Sequence, residues 1–296
     1  HDQEPVSGHN LTLGIDWDLQ EYGERLMQGK SGAIVAIEPK TGEVLALVTS
    51  PNYDPSLLLG RERGKNYAKL VKDPTKPLFN RAIQAAYPPG STFKPTQGLI
   101  FLQEKVITPH TSYPCAHGYV NGLRVRCHSH AAPLSLVPAI ATSCNAFFCW
   151  GFKYMIDRKG TTAYEQLTRW KDYLVSMGYG YKLGIDIPNE SRGFIPNADF
   201  YNKAFKGGRW SANSVISVSI GQGEVLATPL QIANLAATIA NRGYYYIPHV
   251  VKAVQDTVID ASYRKKHYTR VNMGYYTYIV QGMRKAVLGG TCRTAN

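Results

Sequence analysis

Residues 87–95 read YPPGSTFKP, which sets a hydroxyl (Ser91) and an amine (Lys94) three positions apart behind two prolines and a glycine. On a helix, positions i and i+3 share a face, so the two side chains can meet. Pro95 places the pair at a helix start, because proline lacks a backbone donor and clashes with a preceding turn. A helix N-terminus offers free N–H groups and a positive dipole to an oxyanion forming beside Ser91. A serine hydroxyl is a weak nucleophile without a base. A lysine serves as that base when burial lowers its pKa from about 10.4. Alone, S-x-x-K is also what an ordinary helix start looks like. A second constellation, Ser143-Cys144-Asn145, lies further on in ATSCNAFFCW. Its hydroxyl can relay a proton between a lysine and a leaving amine, and its asparagine can hold a substrate amide.

Between Ser91 and Asn145, Cys115, Cys127, His128 and His130 gather in one polar stretch, closed by Cys144. Loop-borne Cys and His with a cysteine on a helix suit tetrahedral zinc. Two other readings stay open: a Cys115–Cys127 disulfide in an oxidising compartment, and Cys144 and Cys149 as small buried hydrophobes. Cys149 and Cys292 receive no role.

The elements that must position these residues are legible in part. AIVAIEPKTGEVLALVT (33–49) is two apolar, β-branched-rich runs around a type I turn followed by glycine, a β-hairpin that starts an antiparallel sheet. Residues 56–73 are charged and read as a surface helix or loop. Helical patterns cover about 91–105, 134–157 and 163–177, and 178–209 reads as a long loop. Thr228, Pro229 and Gln231 form a capping box, and the helix they start stops at Asn241-Arg242-Gly243. A strand over YYYIPHVVKAV and a last helix over 273–288 follow. The pattern predicts an α/β domain with helices packed on an antiparallel sheet.

The chain has 296 residues, 44% hydrophobic and 18% charged, which is globular rather than disordered composition. No apolar run approaches the roughly 20 residues that span a bilayer. The net charge of +12 fits either a solubilising surface or an anionic partner such as a lipid-linked phosphate. The basic residues are scattered and no nucleic-acid motif is present, so nucleic acid is not expected as a partner.

SGAIVAIEPKTGEVLALVTSPNYDP, PPGSTFKP, SCNAFF and SIGQGEVLATPLQIANLAATIANRG together resemble the class B penicillin-binding proteins. SIGQGE favours their penicillin-binding protein 2 branch, the cell-elongation transpeptidases. The resemblance covers nearly the whole chain from about residue 10. It implies a penicillin-binding-protein and serine β-lactamase-like fold, an antiparallel sheet with helices on both faces. It implies a serine-type D,D-transpeptidase that cross-links peptidoglycan stem peptides and takes β-lactams covalently. Ser91 would be the nucleophile and Lys94 its base. Ser143 would shuttle the proton and Asn145 bind the substrate amide, with the Ser91 N–H in the oxyanion hole. No catalytic cofactor is implied. Some relatives in this branch carry a structural zinc, and by that resemblance its ligands are Cys115, Cys127, His130 and Cys144, with His128 and then His117 as substitutes. The implied partners are stem peptides, their lipid-linked precursor, β-lactams and a membrane glycan polymerase. The implied location is the periplasmic face of the inner membrane, through an anchor and pedestal outside this sequence. The family also has a K-T-G triplet on a strand after S-x-N. Lys40-Thr41-Gly42 lies upstream in a hairpin turn and is read as a decoy. Residues 1–296 are therefore expected to be a transpeptidase domain that stops short of its K-T-G strand. The rival readings are a serine β-lactamase and a non-catalytic β-lactam sensor or scaffold.

Overall fold

The computed structural model describes residues 7–295 apart from 208, 256 and 258. In chain order it runs β1 (Leu11–Leu13), α1 (Trp17–Met27), β2 (Gly32–Ile37), β3 (Val44–Ser50), α2 (Arg63–Lys72), α3 (Lys94–Gln103), β4 (Gly118–Val120), β5 (Arg124–Arg126) and α4 (Leu136–Ala141). It continues with α5 (Asn145–Ile156), α6 (Ala163–Ser176), α7 (Ala198–Ala204), α8 (Pro229–Ala240), β6 (Tyr244–Tyr245), β7 (Val251–Val254), β8 (His267–Tyr268) and α9 (Tyr276–Gly289).

The hairpin forms as its sequence dictates. Gly32 pairs with Ser50 and Ala36 with Ala46, and a bulge then sets Ile37 against Val44. Side chains alternate between the two faces of a strand. One face, with Ile34 and Val48, meets α1 at Gly23, where an added Cβ would lie 2.8 Å from Val48 Cγ2. The other face carries Ala33, Val35 and Leu47 into a cluster with Leu230 of α8, with Ile83, and with Leu183 and Ile185 of a nearby loop. Helices therefore cover both faces of the hairpin. In the turn, Gly42 has φ +83° and sits against Tyr246 and Ile247, closer than any Cβ could.

Several sequence expectations need correction. Among the described residues the strands pair two by two, β1 with β7, β2 with β3, β4 with β5 and β6 with β8. The stretch 244–254 is not one strand. Pro248 cannot donate to a ladder, and the Asp186 carboxylate takes the N–H groups of Val250 and Val251 at 2.8 Å each. The helical pattern over 134–157 breaks into α4 and α5 at Ser143. The loop over 178–209 contains α7, capped by Asn197, whose side chain accepts from Phe200 N–H. The capping box of α8 is present, but the left-handed residue that ends it is Arg242, φ +61°, ahead of Gly243. The Arg242 guanidinium donates to the carbonyls of Ile239 and Ala240, which offsets the unfavourable backbone.

At the centre runs α3, buried from Lys94 to Leu102. A helix that is buried on all sides needs close neighbours. Gly98 gives the space for Leu136 of α4 and Ile279 of α9, and Gly151 of α5 lies against the Phe101 ring, where a Cβ would be 2.5 Å away. Deep in this contact, the polar side chain of Gln97 accepts from Trp170 Nε1 at 2.9 Å. Two of the catalytic candidates lie at its start, Lys94 as its first residue and Ser91 just ahead of it.

Candidate active site

The prolines and glycine of YPPGSTFKP bring the chain into α3 by a fixed route. Tyr87 exchanges backbone hydrogen bonds with Ala227, and Gly90, at φ +57°, donates its N–H to Gly221 O at 2.8 Å. A 3-10 turn, Gly90–Phe93, then leads into α3 at Lys94. The α-helix thus begins three residues later than the sequence pattern suggests, and Ser91 sits on the tighter turn ahead of it. Phe93 is buried edge-on against Trp170 and Tyr179 and anchors this turn. Ser91 itself is exposed.

The Ser143-Cys144-Asn145 segment is the break between α4 and α5. Ser143 holds φ +55°, a conformation that costs a residue with a Cβ roughly 1 kcal/mol or more. Cys144 is the N-cap of α5, its sulfur accepting from Phe147 N–H. The reversed backbone turns both the Ser143 carbonyl and its hydroxyl toward Lys94.

Lys94 is 2% exposed. Its Nζ donates to Ser143 O at 2.7 Å, to Ser143 Oγ at 2.8 Å and to Asn145 Oδ1 at 2.6 Å. Ser143 Oγ in turn is hydrogen-bonded to Ser91 Oγ at 2.9 Å. Side-chain adjacency at i and i+3 predicts a direct meeting of Lys94 and Ser91. Instead the Ser143 hydroxyl bridges them. Burial lowers the Lys94 pKa to about 8, against a smaller opposing pull from the nearby cysteines, Cys144 first. A neutral amine is therefore accessible near neutral pH at the end of a hydroxyl relay.

Asn145 is engaged at both ends of its amide, since Nδ2 donates to Arg126 O at 2.7 Å. One amide hydrogen and one lone pair remain for a ligand. The short β4–β5 hairpin is thereby fastened to the Ser143–Asn145 segment, a link the sequence did not reveal. Gly221, which the sequence reads first as part of a tight turn entering the Thr228 helix with a supporting role near the site as the alternative, lies against the Ser91 turn. It has φ +70°, and an added Cβ would stand 2.3 Å from Gly90 O and 2.7 Å from Phe93 Cβ. Its glycine-rich setting, SIGQGE, was the available signal, and the close backbone approach is the reason for it.

A cavity of about 390 Å³ opens beside Ser91, Lys94 and Ser143. Its walls are apolar, from Ile232, Leu235 and Ile239 of α8 and Met283 and Val287 of α9. Lys40 and Thr41, of the upstream K-T-G triplet, line a different cavity with Tyr246 and His249.

Behind the segment, the four sequence-predicted ligands come together. Cys115 Sγ, Cys127 Sγ, Cys144 Sγ and one His130 ring nitrogen lie within 4.8 Å of one another. Cys127 and Cys144 sulfurs are 3.9 Å apart, and Cys115 Sγ is 3.6 Å from His130 Nε2. The Ala146 N–H donates to Cys127 Sγ at 3.2 Å. The Cys127 thiol is held low, first by the hydrogen bond from Cys144, which is pushed up by the same contact. His128 and His117 are not part of the cluster. Cys149 is buried against Ser219, and burial pushes its thiol up to about 12, so it behaves as an inert core residue.

Residues 32–296 match the family model of the penicillin binding protein transpeptidase domain. The chain belongs to this family. It is 36% identical over 256 residues to the peptidoglycan D,D-transpeptidase MrdA of Acinetobacter baumannii, an alignment that covers 85% of this chain and 36% of that protein. Among solved structures, penicillin-binding protein 2 of Pseudomonas aeruginosa superposes with a TM-score of 0.83 at 30% identity, over 97% of this chain and 61% of the other. A chain from a peptidoglycan synthase complex that coordinates polymerization and crosslinking superposes with a TM-score of 0.81 at 32% identity, over 99% and 51%. The fold is thus the penicillin-binding-protein transpeptidase fold expected from the sequence. The chain spans about a third of the length of the curated relative it matches.

Proposed function

We propose that residues 1–296 belong to the transpeptidase domain of a peptidoglycan D,D-transpeptidase of the cell-elongation type, and that Ser91 is its acylated nucleophile. The observation that carries this reading is the relay from buried Lys94 Nζ through Ser143 Oγ to Ser91 Oγ, at 2.8 and 2.9 Å. Ser91 Oγ attacks the carbonyl of the penultimate D-alanine of a stem peptide. Its proton passes to Ser143, and the Ser143 proton passes to neutral Lys94. The oxyanion forms at the open start of the 3-10 turn, where N–H groups lack helical acceptors. Reversing the relay protonates the departing D-alanine amine and leaves an acyl-enzyme on Ser91. The amine of a second stem peptide then displaces Ser91. In this reading the remaining amide hydrogen of Asn145 holds the donor peptide.

β-Lactams acylate the same hydroxyl in this reading. The test is covalent labelling by a fluorescent penicillin followed by peptide mapping of the whole protein. The adduct is expected on the Ser91 peptide and absent from Ser91→Ala. Labelling that survives this substitution, or rapid turnover of a chromogenic cephalosporin, would overturn the assignment. The likeness to a chain of a peptidoglycan synthase complex that coordinates polymerization and crosslinking supports a glycan polymerase as partner; in this reading that polymerase is membrane-bound and the lipid-linked peptidoglycan precursor is the source of substrate. Action at the extracytoplasmic face of the inner membrane accords with that chemistry. Among the described residues, no helix is long and apolar enough to cross a membrane.

We also infer a structural zinc held by Cys115, Cys127, His130 and Cys144. Zinc–sulfur bonds of about 2.3 Å in a tetrahedron set sulfurs about 3.8 Å apart, and sulfur and imidazole nitrogen about 3.6 Å apart. The pairs Cys127–Cys144 at 3.9 Å and Cys115–His130 at 3.6 Å fit this scale. His130 Nδ1 lies 2.6 Å from Ala131 O, which fixes the tautomer that leaves Nε2 free for a metal. The metal would supply cross-linking of the 115–130 loop to the S-x-N segment rather than reaction chemistry. One zinc per chain is expected by elemental analysis of reduced protein, and none in the absence of such a site.

A further inference from the structure

The same cluster has a second chemistry. Cys127 and Cys144 have their sulfurs 3.9 Å apart, and the Cys115 sulfur, 3.6 Å from His130 Nε2, lies within 4.8 Å of both. Cys144 is 1% exposed, whereas Cys127 is only partly buried. We propose that Cys127 and Cys144 are a redox-modifiable pair that closes to a disulfide when no metal holds them, and that this closure loosens the catalytic Ser143–Asn145 segment. Only the protection by metal rests on the zinc reading; the proximity of the sulfurs does not.

The oxidant is a small-molecule disulfide, RSSR. Cys127 Sγ, the reachable sulfur, attacks one sulfur of RSSR, forms Cys127–S–S–R and releases the first RSH with the Cys127 proton. Cys144 Sγ then attacks Cys127 Sγ, forms the intramolecular bond and releases the second RSH with its own proton. The protein dithiol loses two electrons and RSSR gains them. Cys144 reacts second because it is shielded from solvent and lies beside the mixed disulfide.

Closure has a structural consequence. A disulfide is about 2.0 Å long, so the two sulfurs must approach by nearly half of their separation. Both sulfurs accept hydrogen bonds from the first turn of α5, Cys127 from Ala146 N–H at 3.2 Å and Cys144 from Phe147 N–H at 3.4 Å. Cys144 stands between Ser143 and Asn145, which hold Lys94. Drawing its sulfur toward the β4–β5 hairpin pulls on both. A disulfide sulfur also has no thiolate to offer, so closure and metal binding exclude one another.

The test uses the whole chain, reduced, stripped with a chelator and then exposed to oxidised glutathione. Peptide mapping is expected to show Cys127 joined to Cys144 with the loss of two hydrogens, reversible by dithiothreitol. Zinc-loaded protein is expected to close at least about tenfold more slowly, because the metal binds only the dithiol. In the closed form the Ala146 and Phe147 amides are expected to exchange hydrogen about fivefold faster, as loss of one hydrogen bond each allows. In Cys127→Ser, Cys144 is expected to stay a free thiol under the same treatment. A Cys115–Cys127 linkage, or thiols that remain free, overturns the proposal. So does closure with unchanged exchange at those two amides. Protein that binds one zinc yet forms no Cys127–Cys144 bond refutes the proposal and leaves the zinc reading intact. Protein that forms the bond but takes up no zinc supports the pair and refutes the zinc reading.

Discussion

Lys94 combines a fully engaged amine with burial, and both matter for its role. Its pKa of about 8 means that the neutral base is the minor form at pH 7 and the major form above pH 8. Acylation of Ser91 is expected to rise with pH through a midpoint of about 8 and then level, as read from penicillin labelling rates. Lys94→Met removes both amine and titration, and is expected to slow labelling by about 100-fold or more and flatten that rise. Ser143 contributes in two separable ways, through its hydroxyl and through its φ of +55°. Ser143→Ala and Ser143→Gly both cut the relay and are expected to slow labelling similarly. Thermal unfolding distinguishes them: the glycine variant should be more stable than the alanine variant by about 1 kcal/mol, since only alanine keeps a Cβ in the left-handed region. Equal stabilities would show that the backbone there is not strained.

At the scale of elements, the turn that carries Ser91 is fixed by a backbone contact as well as by the buried Phe93 ring. Gly90 and Gly221 both take positive φ, and Gly90 N–H donates to Gly221 O. Gly221→Ala forces a Cβ to within 2.3 Å of Gly90 O, where neither backbone can yield cheaply. The expected result is a loss of about 1–3 kcal/mol in unfolding free energy together with slower penicillin labelling. Labelling at the wild-type rate in a folded Gly221→Ala protein would show that the turn does not depend on this contact. The elements differ in how far local sequence foretold them. The hairpin, α6 and the Thr228 capping box were legible because alternation and capping are local signals. The break at Ser143 was not, because ATSCNAFFCW is apolar enough to continue a helix. What interrupts it is Lys94, which lies far away in the chain and takes the Ser143 carbonyl from any helical partner. The strand over 244–254 failed for a related reason: the Asp186 carboxylate, from a distant loop, claims the N–H groups at Val250 and Val251.

For the whole molecule, the Cys115, Cys127, His130 and Cys144 cluster joins a loop, a hairpin and the start of α5. Removing zinc is expected to lower the unfolding midpoint, with binding at a free zinc concentration about 100 times Kd contributing about 2.7 kcal/mol. Calorimetry with and without chelator measures it, and identical transitions in the two conditions would exclude a structural metal. The sequence by itself supplied the candidate groups and their local settings: Ser91 and Lys94 one turn apart, a proline-set helix start and the S-x-N triplet. Those spacings follow from residue type and short-range geometry, whereas Cys115, Cys127, His130 and Cys144 as one donor set came from the resemblance to a known family. Only the tertiary structure decided that Ser143 bridges Lys94 to Ser91, that Arg126 O occupies one end of Asn145, that Gly221 braces Gly90, and that the Cys127 and Cys144 sulfurs stand 3.9 Å apart. Each depends on atoms from distant parts of the chain meeting within hydrogen-bond or van der Waals range. Packing around the buried rod of α3 sets those distances, and no local propensity encodes them.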